Sequence, residues 1–187
     1  MTLRRGFKAE AERTAAKIRS DLGLESHHAV DIKQAAEVLG VRVVSASTLV
    51  DIERLEEIEA IQAFAFSACT FDIRGSNVIV FNPLRSAERS ASDIAHEVSH
   101  LLLEHELTEI QFFDGVPFRT CQAEQEEEAT ALGGTILLPR PLLLSAARSG
   151  SSVEALAQRN GVTIEMARFR WNTTGVARQV KASRKSR

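Results

Sequence analysis

The chain has 187 residues, 44% of them hydrophobic, with 23 basic and 25 acidic side chains and a net charge of −2. That is enough apolar material for one sizeable core, and the near-neutral balance excludes a surface that coats nucleic acid by charge alone. No early apolar run reaches signal-peptide or membrane-span length, and Cys69 and Cys121 lack C-x-x-C spacing, so free thiols in a reducing cytoplasm are expected.

In chain order, Phe7, Ala11, Ala15, Ile18 and Leu22 recur at helical spacing until Gly23 stops them. Asp31 with Gln34 makes a capping box for a short helix through Leu39, ended by Gly40, after which Val41–Val44 reads as a strand. Leu49, Ile52, Leu55 and Ile58 predict a helix over Thr48–Ile58. Ile61–Ala68 and Val78–Phe81 are β-type runs separated by the turn signal Arg74-Gly75-Ser76-Asn77. They predict an antiparallel sheet with Asn77–Phe81 at or near its edge. An extended substrate pairs with such an edge through the backbone, which makes Val78 and Val80 candidate substrate contacts.

The next segment, Ile94-Ala95-His96-Glu97-Val98-Ser99-His100-Leu101-Leu102-Leu103, carries an H-E-x-x-H motif inside an apolar run. On a helix, residues four apart share a face, so His96 and His100 present two imidazoles to one metal ion. Glu97 stands beside them as the base that holds a metal-bound water and takes its proton. Burying such a group in a core helix is costly unless something satisfies it, as a metal would, the other reading being histidines hydrogen-bonded to backbone. Phe112–Thr120, with Gly115 and Pro117, reads as a loop over a cleft.

A catalytic zinc needs a third protein ligand. The acidic run from Glu124 to Glu128 leads into Ala129, Leu132, Gly133, Ile136 and Leu137 at helical spacing, with Pro139 ending the helix. The pair Gly133-Gly134 predicts close approach to the histidine helix. Glu128, at the head of the apolar stripe, is the expected third ligand, with Glu124 as its competitor one turn earlier. Glu126 and Glu127 read as a solvated helix start, and Cys121 is a further candidate contact. Near the end, Val153–Ala167 reads helix, turn, helix, with Gly161 at the turn, then Arg168, Arg170 and a basic tail.

With His96–Leu103 and Glu128–Pro139 in register, the chain resembles the ImmA/IrrE family of metallo-endopeptidases. The likeness extends to Val78-Ile79-Val80-Phe81-Asn82-Pro83, Arg89, Ala9–Leu24, Val30–Val44 and Val153–Arg170, nearly the whole chain. Departures are Ala91-Ser92-Asp93 for basic-Phe-Thr, Val98-Ser99 for Leu-Gly, and Glu104 for a histidine. The resemblance implies an α+β, zincin-like domain over residues 1–180, with a small antiparallel or mixed sheet beside an active-site helix pair. It also implies a helical hairpin at 151–175, and a disordered basic tail is expected at 181–187.

The activity so implied is zinc-dependent endoproteolysis, with Zn²⁺ (Mn²⁺ as alternative) held by His96, His100 and Glu128 and with Glu97 as the catalytic base. The implied substrate is a helix-turn-helix repressor cut in trans in the cytoplasm, within transcription regulation and stress response. The chain has no tyrosine, so Arg89 and His105 are the candidates for stabilising the substrate oxyanion. Two rivals are a non-catalytic zinc-binding regulatory module and a DNA-binding regulator acting through the C-terminal hairpin. Glu97 favours catalysis, because a structural site needs no base.

Overall fold

A computed structural model describes residues 3–63, 66–105, 110–113, 116–119 and 122–185. Helix α1 (Phe7–Asp21) buries Phe7, Ala11, Ala15 and Ile18, the stripe its spacing predicts. Asp31 caps α2 (Ile32–Val38) by accepting from the Lys33 N–H at 2.9 Å. Strand β1 (Arg42–Ser45) runs into a 3₁₀ turn over Ala46–Thr48, and α3 (Ile52–Ile61) starts four residues later than the apolar spacing suggests. The Ser45 hydroxyl accepts from Ser47 N–H and the Thr48 hydroxyl donates to Ser45 C=O, local bonds that divert this stretch from a regular helix.

Strands β2 (Ala68–Ile73) and β3 (Ser76–Phe81) form a hairpin through Arg74 and Gly75, at φ 56° and 80°. Two left-handed residues are what a two-residue hairpin turn matching strand twist requires. β2 begins at Ala68, so the β-run expected over Ile61–Ala68 is displaced, Ile61 being the last residue of α3.

The sheet order is β1-β3-β2, with β3 parallel to β1 and antiparallel to β2. This corrects the expected edge: β3 is central and its backbone is paired on both sides. Val78 and Val80 point into a small core with Ala46 and Leu55, so neither is open to a substrate. The edge nearest the histidine helix is β2. Ile79 and Thr70, cross-strand partners, face that helix instead.

Helix α4 (Ala87–Leu102) carries the motif and is capped by Ser86, whose hydroxyl accepts from Arg89 N–H. Its Ile94, Ala95 and Val98 are completely buried. Where a loop was expected over Phe112–Thr120, β4 (Ile110–Phe113) and β5 (Val116–Arg119) pair antiparallel; Cys121 lies outside the described residues. Then follow α5 (Ala123–Leu137), α6 (Arg140–Ser149), α7 (Val153–Asn160), α8 (Ile164–Thr174) and α9 (Val176–Lys185). The basic tail expected to be disordered from 181 is helical through Lys185, because α9 packs on α6 and buries Val176.

Two buried arginines pin the C-terminal end of α5, the favourable place for a cation on a helix. Arg19 donates to Ile136 C=O at 2.7 Å and Leu137 C=O at 3.3 Å, and burial pulls its pKa down to about 10. Arg170 donates to Leu138 C=O at 3.1 Å and pairs with Glu12 at 2.9 Å. The α7–α8 hairpin is thus tied into the core, and Arg170 is not part of an outward basic surface. Among the described residues, no single helix is long and apolar enough to cross a membrane.

Candidate metal centre

Helices α4 and α5 meet at bare backbone. A Cβ added to Gly133 would stand 2.9 Å from the Ala95 oxygen, 3.0 Å from its carbonyl carbon and 3.2 Å from His96 N. All three are main-chain atoms of α4 and cannot swing aside. Helix propensity alone would make Gly133→Ala stabilising by about 1 kcal/mol. The clash reverses that sign, and urea unfolding should show a loss of roughly 1–3 kcal/mol. A variant as stable as wild type would mean the helices are not this close.

The close crossing brings three donors together. His96 Nε2 and His100 Nε2 are 3.0 Å apart. Glu126 supplies the third, with Oε2 at 3.1 Å from His96 Nε2 and Oε1 at 3.5 Å from His100 Nε2. Bond lengths of about 2.0–2.1 Å at a tetrahedral ion hold neighbouring donors about 3.4 Å apart, so the trio has the spacing of a metal site. Two imidazoles and one carboxylate suit zinc and leave a fourth position for water. The donor set therefore fits a divalent metal.

Glu126, not Glu128, stands at the histidines. Residues two apart on a helix point about 160° away from each other, so only one can face the pair. Gly133, which touches α4, marks the facing side; Glu126 lies two turns before it on that same side. The apolar stripe led to Glu128 because the stripe follows the buried centre of α5, while the α4 contact lies to one side of it. The helical phase of Gly133 was the signal that identifies Glu126.

Glu128 is engaged elsewhere: its Oε1 is 2.9 Å from Arg4 Nε and its Oε2 is 3.5 Å from His105 Nε2. The expected base, Glu97, accepts a 2.6 Å bond at Oε2 from the Thr70 hydroxyl on β2. Thr130, one turn after Glu126, places its hydroxyl 3.4 Å from His96 Nδ1, so the ring's other nitrogen is the one directed at the donor cluster.

Beside His96 and Glu97 opens a cleft of about 300 Å³, walled by Gly133, Thr130, Arg89 and Asp93. Arg89 lies at this cleft with Nε 3.0 Å from Asp93 Oδ1, and burial pushes the Asp93 carboxyl up from its usual pKa. His105 is turned away from it, its ring against His100. A second group of donors, Glu25, His27 and His28, gathers in the exposed turn after α1. The sequence did not single it out.

The family model Peptidase_M78, described as the IrrE N-terminal-like domain, matches residues 36–172 of the 187. No curated protein matches the chain. Among solved structures, a Mycobacterium tuberculosis transcriptional regulator superposes with a TM-score of 0.53 at 18% identity. The alignment covers 88% of this chain and 46% of that one, so the chain spans under half of that regulator's length. At this identity the likeness concerns the fold.

Proposed function

The chain belongs to the Peptidase_M78 family, and on that premise we propose that it is a metal-dependent peptidase whose centre is His96, His100 and Glu126, with Glu97 as general base. The observation that carries this reading is the convergence of the three donors beside a carboxylate that is not one of them. A structural zinc site closes with a fourth protein ligand and needs no base. A bound divalent ion would polarise the scissile carbonyl and acidify a water. Glu97, oriented through Oε2 by Thr70, takes the water's proton on its other oxygen and passes it to the leaving amine. Zinc is the metal this donor set favours, with manganese as the alternative.

The substrate is proposed to be a protein, bound in extended form along β2, which among the described residues is the sheet edge and carries Thr70. Arg89, at the cleft beside Glu97, is the proposed oxyanion or substrate contact; His105 is too deeply placed for that role. The resemblance to ImmA/IrrE peptidases supports cleavage of a helix-turn-helix repressor in trans.

The test begins with metal. Wild type should retain one tightly bound equivalent after dialysis, and His96→Ala should retain none. Metal still held by His96→Ala, traced to Glu25, His27 and His28 by their own replacement, would move the site and sink this reading. The metal-loaded chain should then cut a regulator of its own host, and a chelator should stop it.

A further inference from the structure

The side of His100 opposite the metal cluster is built as carefully as the near side. α4 ends in a turn whose first outside residue, Glu104, sits at φ 53°, a left-handed conformation that costs a non-glycine residue roughly 1 kcal/mol. The turn sends the His105 N–H back to His100 C=O at 3.0 Å and the Glu104 N–H to Leu101 C=O at 3.2 Å. This is the helix-ending motif in which the second residue outside packs on the third-last residue inside. Here that contact is His105 on His100, with Nδ1 to Nδ1 at 3.0 Å.

From His105 the contacts continue to Glu128 at 3.5 Å, from Glu128 to Arg4 at 2.9 Å, and from Arg4 to Glu10. Three separate parts of the chain are thus linked in series, through His105, to one nitrogen of one histidine. We propose that His105 and Glu128 are positioning residues that hold the His100 ring and its tautomer for the metal, Glu128 acting through His105. This rests on the reading of His96, His100 and Glu126 as donors.

The proton placement follows from the geometry. His100 Nε2 faces His96 and Glu126, so a metal bound there leaves its proton on Nδ1. His105 Nδ1 must then accept, which places the His105 proton on Nε2, the atom directed at Glu128. A carboxylate is the partner that stabilises that tautomer. Outer partners of this kind typically contribute roughly 10–100-fold to metal affinity. The carboxylate that sequence pattern nominated as a ligand thus serves the same ion from one residue further out.

The experiment measures Zn²⁺ affinity by chelator competition and Co²⁺ visible spectra on the metal-free chain. His105→Leu, of similar bulk, and Glu128→Gln should each weaken binding roughly 10–100-fold and alter the Co²⁺ bands. Thermal melting of the metal-free proteins should barely change. His105→Gln should restore near-wild-type affinity, because its amide oxygen accepts from His100 while its NH₂ donates to Glu128. If His105→Leu unfolds, Glu128→Gln decides alone. Wild-type affinity in both His105→Leu and Glu128→Gln, or no rescue by His105→Gln, overturns the positioning role while the site stands. Wild-type affinity in His96→Ala overturns the donor assignment beneath it.

Discussion

Glu97→Gln should keep the fold and the full metal content yet cut its substrate about 10²–10⁴ times more slowly. Glutamine is nearly isosteric, and its amide oxygen still accepts the short bond that Thr70 gives to Glu97. What disappears is the ability to take a proton. The metal donors are untouched, since Glu97 is not among the three atoms that converge. Side-by-side metal analysis, thermal melting and a gel assay on a susceptible regulator separate the outcomes. Equal cleavage by variant and wild type would remove Glu97 from the mechanism. Loss of metal in the variant would place Glu97 among the ligands and return the site to a structural role.

Much of the site was legible because α4 is a local object. Its buried Ile94, Ala95 and Val98 and the two histidines one turn apart are all written within one helix. The β2–β3 turn was legible for the same reason, as Arg74-Gly75 supplies the left-handed conformations itself. What escaped depends on partners distant in sequence. β3 reads as an edge until β1, joined to it by a parallel pairing across α3, occupies its other side. His105 read as a substrate contact because a left-handed Glu104 gives no sequence warning of a turn that folds its neighbour back onto His100. Glu126 was passed over for a different reason. Apolar periodicity reports the buried middle of α5, and a ligand must follow the narrower strip where α5 touches α4.

That strip makes a sharp distinction among the acidic residues of α5. Glu126→Ala removes one of three protein donors, and metal affinity should fall on the order of 10³-fold or more, beyond the 10–100-fold typical of an outer partner. Glu124→Ala, at an exposed position one turn from Glu128, should bind as wild type. Glu128→Gln should fall between them, through His105. The ordering follows from phase alone: Glu126 shares the side of Gly133, whose missing Cβ lets α5 lie against the backbone of Ala95 and His96. It is measured by competition with a chelator, and metal-free melting curves verify that each variant is folded. If Glu128→Gln loses metal more severely than Glu126→Ala, α5 is rotated about its axis in the metal-bound protein and Glu128 is the ligand. In that case Gly133 could not remain in contact with His96 N, and Gly133→Ala should become harmless. The two substitutions therefore check each other, one reading the ion and the other the helix contact that aims Glu126 at it.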